Sequence, residues 1–229
     1  MFMDIGKTNA FMRGNLFPAR ASRSGNLRGN PVSKRIFDLV VAVVLLPILC
    51  PMIALLYLVV RCDGGSGFFG QVRIGQHGKA FKCWKLRTMM PDADAALRAH
   101  FDVNPRARIE WERDFKLDSD PRITRLGNFL RTTSLDEIPQ IWNVIKGEMS
   151  FVGPRPVVRA ELAKYGKSLW AYRAQRPGVT GLWQVSGRNS VSYDARVAMD
   201  VEYLTRSSIW FDIVLMLKTA GAVVQRTGK

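Results

Sequence analysis

The sequence predicts a mostly helical α+β fold, and three observations support this prediction. At 229 residues with 47% apolar content, the chain can bury the core of one compact domain and still carry appendages. β-Favouring residues at 68–74 and 80–89 flank a turn at 76–79, which is typical of a β-hairpin. Most other apolar residues recur at helical spacing or lie in one long run, which predicts helices elsewhere.

The chain is strongly basic. It has 34 Lys and Arg residues against 19 Asp and Glu, a formal net charge of +15 that exceeds what solubility alone requires. We therefore expect an anionic partner, which could be nucleic acid, an acidic lipid surface or a phosphorylated substrate. Charge by itself does not choose among these three.

Cysteine and histidine usage excludes several kinds of site. Cys50, Cys62 and Cys83 are odd in number and show no C-x-x-C spacing, so they predict neither a disulfide framework nor a zinc site and fit a reducing compartment. The two histidines, His77 and His100, lie in a glycine-flanked turn and a polar stretch and are expected at the surface. A serine-histidine triad is therefore improbable.

Residues 1–33 form a basic segment that we expect to be disordered. Gly, Asn and Ser separate its Lys and Arg residues, and Asp4 is its one acidic residue. Such a segment could be attracted to anionic headgroups, at about 1 kcal/mol per basic residue near the surface. A solubilising tail explains the same composition equally well.

The next segment, Ile36 to Val60, is apolar except for Asp38 and is interrupted by Pro47 and Pro51. Its 25 residues are enough for a straight helix to span a bilayer. Each proline, however, removes a backbone donor and clashes with the preceding turn, which favours a re-entrant hairpin broken at Pro47 or Pro51. Basic residues flank both ends, so the positive-inside rule does not separate them.

Three later segments complete the predicted elements. If 80–89 is a strand, its period of two puts Phe81, Cys83, Lys85 and Arg87 on one face and places two cations at its far end, although a solvated surface would look the same. Residues 92–116 predict one or two surface helices. Residues 209–224 predict a core or interfacial helix, in which Asp212 would need a cationic or hydrogen-bonding partner.

The most informative residues are the adjacent carboxylates Asp136 and Glu137. They lie in the run from Arg131 to Gln140, and Gly153-Pro-Arg-Pro follows. Two neighbouring carboxylates can hold a divalent metal on a phosphate, and one of them can attack phosphorus. Arg131 and Arg155 could then clamp anionic oxygens.

A purely structural interpretation competes with this chemistry. Ser134 to Glu137 fits the S-x-x-E capping box that begins a helix, and on the motif alone capping is favoured. Pro139 fits that cap poorly because it would remove a helical hydrogen bond, and a cap at Asp136 would tolerate it better. Both alternatives place the acidic pair at a helix N-terminus, where the macrodipole stabilises negative charge and attracts phosphate.

Taken in order, these motifs resemble the bacterial sugar transferases, the monotopic polyprenyl-phosphate phosphoglycosyltransferases. The resemblance covers about residues 33 to 226. It rests on the basic flank, the proline-broken apolar run, Lys85-Leu-Arg-Thr-Met, the run Arg131 to Gln140, Gly153-Pro-Arg-Pro, Arg176-Pro-Gly and Phe211-Asp-Ile. The chain departs from the family pattern at Cys50-Pro51, where relatives often have Ser-Pro.

The resemblance implies an enzyme that transfers a sugar-1-phosphate from a UDP-sugar to undecaprenyl phosphate, with Mg²⁺ as cofactor, and so initiates an exopolysaccharide. Asp136 would be the nucleophile, and Asp136 with Glu137 would hold the metal. The remaining motif positions would bind substrate: Lys85, Arg87, Arg131, Arg155, Arg188 and Asp212. The chain's brevity suggests the compact rhizobial type, which commonly uses UDP-galactose or UDP-glucose.

The implied fold is α+β and mostly helical, with a re-entrant membrane helix-hairpin, a small β-hairpin and amphipathic interfacial helices around one cytoplasmic catalytic domain. Its expected divisions are the basic segment 1–33, the re-entrant helix 34–62 and the catalytic domain 63–229. The implied location is the cytoplasmic face of a bacterial inner membrane, with anionic lipids as partners, no nucleic acid and a homodimer to be considered. The alternatives are a non-catalytic membrane scaffold and a basic membrane-attached nucleic-acid binder, and neither explains the acidic pair.

Overall fold

The computed structural model describes residues 30–62, 64–114, 117, 119–187 and 191–224. Its first element, helix α1, spans Pro31–Arg61 and contains both Pro47 and Pro51. The Asn30 side chain accepts a hydrogen bond from the Val32 amide at 2.9 Å, and Pro31 occupies the first turn, where its missing N–H costs nothing. Within the described ranges, α1 is the one helix long and apolar enough to cross a membrane, judged by length and composition. The predicted disordered segment falls almost wholly outside the described residues.

Both ends of α1 contact the remainder of the protein. Near its start, Arg35 donates hydrogen bonds to the carbonyl oxygens of Val144 at 2.5 Å and Ile145 at 2.6 Å. Near its end, Val60 is buried against Leu86 and Leu130. The middle packs through Ala42 and Ile53, while the opposite face leaves large apolar side chains exposed, among them Val40, Val44, Ile48, Leu55 and Leu58.

The predicted β-hairpin is present. Strands β1 (Phe68–Ile74) and β2 (Ala80–Leu86) pair antiparallel from Phe68 opposite Leu86 to Ile74 opposite Ala80. A short 3₁₀ helix at Gln76–Gly78 connects them. Strand β2 ends three residues before the predicted boundary at 89, because the chain leaves β1 there and Met89 instead bridges to Ile123.

Helices make up most of the remaining described chain. The predicted surface helices appear as α2 (Ala93–Val103) and α3 (Pro105–Asp114). Helix α4 (Arg125–Thr132) begins at Thr124, whose hydroxyl accepts a hydrogen bond from the Gly127 amide at 2.8 Å. A 3₁₀ helix, Leu135–Gln140, leads into α5 (Ile141–Lys146).

The C-terminal half packs these elements around two short strands. Strands β3 (Ser150–Val152) and β4 (Gly178–Thr180) pair in parallel, and a 3₁₀ helix at Arg159–Ser168 and helix α6 (Leu169–Arg173) connect them. Helices α7 (Leu182–Ser186), α8 (Tyr193–Arg206) and α9 (Ile209–Val224) follow, and α9 has the predicted bounds. Leu215 of α9 packs with Val152, Tyr203 and Phe211 in one of several small apolar clusters.

Candidate active site

The acidic pair lies in the first turn of the 3₁₀ helix Leu135–Gln140. Ser134, which precedes the helix, has a φ of 57° and makes no side-chain capping bond, so the predicted capping box at Ser134 is wrong. The left-handed backbone at Ser134 turns its hydroxyl away from the amides that a cap would satisfy. The Glu137 side chain is therefore available for a different partner, and α5 ends at Gly147, whose φ of 81° suits glycine.

That partner is Lys85 on strand β2. The Lys85 Nζ atom lies 2.6 Å from Glu137 Oε1 and 3.6 Å from Asp136 Oδ2. Asp136 is 6% exposed, whereas the side chains of Glu137 and Lys85 are 37% and 27% exposed. One ammonium thus holds a buried and a half-exposed carboxylate together.

Burial is the largest single influence on the pKa values of Asp136 and Lys85. It raises the pKa of Asp136 above its usual value, and the neighbouring Glu137 raises it further, while Lys85 and then Arg131 lower it in part. Burial opposes the charge on Lys85, but Glu137 and Asp136 outweigh it and raise the pKa of that ammonium. Lys85 therefore stays charged at neutral pH, and its positive charge offsets the negative charge of Asp136 and Glu137.

Lys85 and Glu137 also line a cavity of about 420 Å³. Arg73 and Arg155 add two further cations to its wall, and the backbone of β4 forms another side. Burial raises the pKa of the Cys83 thiol in this wall to about 11, so the thiol stays protonated and is not the nucleophile at neutral pH. The lining also includes Leu49, Ser134, Ile138, Gln140, Ile141, Phe151, Pro156, Gly178, Val179, Thr180, Trp183, Gln184 and Thr219.

Two glycines bring the motifs Gly153-Pro-Arg-Pro and Arg176-Pro-Gly together. A Cβ atom at Gly153 would lie 2.3 Å from the Arg176 carbonyl oxygen, and one at Gly178 would lie 2.1 Å from the Gly153 amide nitrogen. No larger residue fits either position without moving backbone. This close approach places Arg155 at the cavity directly after β3.

The remaining predicted site residues that the structure describes are not among those that line the cavity. The Arg131 Nε atom donates to the Thr88 hydroxyl at 2.8 Å. Arg87 lies just past the end of β2 and donates to the carbonyl oxygens of Val60, Ser66 and Met89. Asp212 is buried on α9 and pairs with Lys34 at 2.5 Å. Arg188 lies outside the described residues.

No motif in the sequence indicated Arg73, although the hairpin carried a signal for it. Arg73 lies opposite Phe81 in the register, and directly opposed residues of an antiparallel pair point to the same face. Since Phe81, Cys83 and Lys85 share a face by period two, Arg73 belongs with them. A prediction of register, in addition to the hairpin itself, would have found this cation.

The carboxylates fit a magnesium ion that is shared with substrate. No group of three or more His, Cys, Asp or Glu side chains gathers within the described ranges. Mg²⁺, however, is commonly held by one or two carboxylates together with substrate phosphates and water. Asp136 and Glu137 supply those two carboxylates, and the Lys85 ammonium that now bridges them would have to move toward the phosphates.

The fold and site together define a class of protein in which an apolar, membrane-compatible helix adjoins a cation-lined cavity, with a pair of adjacent carboxylates beside that cavity. Comparison with known families agrees with this description. Residues 29–226 match the family model described as bacterial sugar transferase, and the chain belongs to that family. The resemblance inferred from the motifs is confirmed.

Several curated relatives resemble the chain closely. It is 50% identical to the UDP-galactose-lipid carrier transferase of Erwinia amylovora, over 85% of this chain and 41% of that protein. It is 47% identical to the undecaprenyl-phosphate galactose phosphotransferase of Salmonella typhimurium, over 88% of this chain and 42% of that protein. It is 49% identical to the exopolysaccharide production protein ExoY of Sinorhizobium fredii, over 86% of this chain and 88% of that protein. The chain thus spans about two fifths of the first two relatives and most of the third.

Proposed function

We propose that the protein transfers a sugar-1-phosphate from a UDP-sugar to undecaprenyl phosphate, releasing UMP and initiating an exopolysaccharide. The names of the relatives refer to undecaprenyl phosphate, to galactose and to exopolysaccharide production. The observation that carries the proposal is the Asp136–Lys85–Glu137 group beside a cavity that also presents Arg73 and Arg155. Clustered cations stabilise the charge that develops during phosphoryl transfer.

Asp136 is the nucleophile in this proposal. One of its oxygens forms a bond to the phosphorus that carries the sugar, while the bond from that phosphorus to the bridging oxygen breaks and UMP leaves with the electron pair. An oxygen of the lipid phosphate then attacks the same phosphorus, and the bond to Asp136 breaks. Both steps conserve the sugar–phosphate bond, and the second step returns Asp136 as a carboxylate.

The surrounding residues would offset the negative charge of the phosphates and hold them in position. Lys85 lies within reach of both carboxylates, and Arg155 and Arg73 face the volume that the phosphates would fill. Magnesium held by Glu137 and Asp136 would neutralise the diphosphate when bound. Galactose is the first donor to test because the names of two relatives specify it, and glucose is the second.

The protein would work at the cytoplasmic face of the membrane, with α1 entering and leaving the bilayer by that face. Arg35 near the start of α1 and Val60 near its end both contact the same domain. A spanning helix would carry one of these ends to the opposite surface, away from the domain. Net positive charge would add attraction to anionic lipids.

The test is UMP release by detergent-held protein with Mg²⁺ and undecaprenyl phosphate, across a panel of UDP-sugars. We expect release with one donor and a loss of at least about 10³-fold in Asp136→Asn, because the nucleophile is removed. Asp94→Asn, which changes an exposed carboxylate on α2, should match the wild type. Equal activity of all three proteins would contradict the role of Asp136, and inactivity of a folded wild type with every donor would favour a scaffold.

Isotope exchange separates the covalent route from direct attack by the lipid phosphate. If Asp136 carries the phosphosugar, labelled UMP should enter the UDP-sugar pool without any lipid acceptor, because the first step is reversible on its own. Exchange that requires the acceptor would contradict the covalent intermediate while leaving the overall transfer intact.

A further inference from the structure

A second concave surface lies beside α1. It is an apolar groove of about 370 Å³, formed by the second half of α1, the start of β1 and the start of α5. Tyr57 and Phe68 form one wall with ring centroids 4.7 Å apart, and Trp142, which is 43% exposed, forms another. Cys50, Ile53 and Ala54 complete the lining.

The groove directly adjoins the catalytic cavity. On α1, Leu49 lines the cavity, while the adjacent Cys50 and, one turn later, Ile53 line the groove. On α5, Ile141 lines the cavity and packs in the same apolar cluster as Ile53, while the adjacent Trp142 lines the groove. Neighbouring residues of α1 and of α5 therefore line both volumes.

The two volumes differ in chemistry in a way that matches one kind of molecule. The cavity presents Lys85, Arg73 and Arg155, whereas almost all of the accessible surface of the groove is apolar. An amphiphile with a phosphate head could place its head among the cations and the first part of its chain in the groove. We propose that the groove binds the isoprenoid units next to the phosphate of the acceptor lipid, an inference that rests on the proposed transferase function.

The groove would select by shape and not by hydrophobicity. Bilayer chains are as apolar as the groove, so moving an isoprenoid from lipid to protein gains little from the hydrophobic effect. The gain comes from close packing of branched units against Tyr57, Phe68 and Trp142, and from fixing the phosphate near Asp136. A branched acceptor should therefore be preferred to a linear alkyl phosphate of equal length.

Filling the groove tests this inference. Ala54→Trp should lower kcat/KM for undecaprenyl phosphate by roughly tenfold and leave the KM for the UDP-sugar unchanged, because only the chain subsite is occupied. Ala54→Trp should also abolish the preference for a branched acceptor over a linear alkyl phosphate. Val44→Trp, on the exposed face of α1 away from the groove, is the matched control and should behave as the wild type. Trp142→Ala, which enlarges the groove, should weaken the same preference without adding bulk.

Photolabelling provides a readout that does not need turnover. A polyprenyl phosphate with a diazirine in its first isoprene unit should label peptides containing residues 50–57 or 142 in the wild type and in Val44→Trp, but not in Ala54→Trp. If no protein turns over a donor, the transferase proposal fails while labelling still decides the groove. Labelling elsewhere, or equal competition by a linear-chain phospholipid, would overturn the inference, as would unchanged acceptor kinetics in Ala54→Trp.

Discussion

Lys85 links the β-hairpin to the acidic pair, and this contact decides the charge of the site. Its ammonium opposes the effect of burial on Asp136, whose pKa is nevertheless raised. A nucleophilic carboxylate must be ionised, so activity should fall as the pH drops through the pKa of Asp136. The acid limb of the pH profile therefore reports this one contact.

We predict that Lys85→Met shifts that acid limb to higher pH. Removing the cation raises the pKa of Asp136 further, since burial and Glu137 are then opposed chiefly by Arg131. We also expect kcat to fall roughly a hundredfold, because one cation is lost from the reacting phosphate. The pH dependence of UMP release measures both effects.

Lys82→Met is the control for this change. Lys82 lies on the other face of β2, where its ammonium is 4.5 Å from the Trp84 ring centroid and its side chain is exposed. Its loss should leave the pH profile in place. A Lys85→Met profile that coincides with that of Lys82→Met would show that Lys85 does not govern the ionisation of Asp136.

The sequence predicted the site residues that lie close together in one motif. It did not predict the positions of residues that depend on contacts with distant parts of the chain. Asp136 and Glu137 are adjacent in one motif, which predicted them together, whereas the place of Arg155 at the cavity depends on the contact of Gly153 with Gly178. Arg87 was expected beside Lys85, but its place depends on where β2 ends and on which carbonyls of α1 and the following loop are near. Period two along a strand does not contain that information.

At the scale of elements, local patterns predicted the hairpin, α2, α3 and α9. Each has a clear period and boundaries marked by turn residues. Strands β3 and β4 were not predicted, since each has three residues and the pairing joins segments 28 residues apart in sequence. The close contact of Gly153 with Gly178 specifies that pairing, and neither glycine shows it alone.

The prediction at the scale of elements concerns α1: its two prolines should decide whether it bends back or spans the membrane. Pro47 and Pro51 withhold two amides from the helix, which weakens the segment that must bend if both ends stay on one face. Replacing both prolines with leucine should restore those bonds and favour a straight, spanning helix. We expect the N-terminal flank to become accessible from the opposite face of the membrane.

Cysteine labelling of intact spheroplasts measures this accessibility, using Asn30→Cys in a background where the native cysteines are replaced by serine. An impermeant maleimide should not label position 30 while the prolines are present and should label it in the double-leucine variant. A Leu45→Ile/Leu55→Ile pair, which leaves the prolines intact, serves as the control. Labelling with the prolines present would mean that α1 spans the bilayer.

At the scale of the whole molecule, a buried polar network joins α1 to the catalytic domain. Lys34 pairs with Asp212 at 2.5 Å and lies 3.9 Å from Asp38. Asp38 accepts hydrogen bonds from the Ser150 hydroxyl at 3.0 Å and the Phe151 amide at 3.2 Å. The Tyr203 hydroxyl donates to Asp212 at 2.6 Å. The sequence predicted that Asp212 would need a partner, but not that the partner would come from α1, 178 positions away.

We predict that Lys34→Met destabilises the protein by about 3 kcal/mol, because it leaves two fully buried carboxylates without their cation. Adding Asp212→Asn should restore part of this loss, since the amide oxygen can still accept from Tyr203 and one uncompensated charge is gone. Chemical unfolding in detergent, followed by circular dichroism, measures the difference. Lys79→Met, at an exposed position in the hairpin turn, should change the free energy of unfolding by less than about 0.5 kcal/mol. If Lys34→Met is no less stable than Lys79→Met, the network does not hold α1 on the domain and the attachment rests on the apolar contacts of Ala42, Ile53 and Val60.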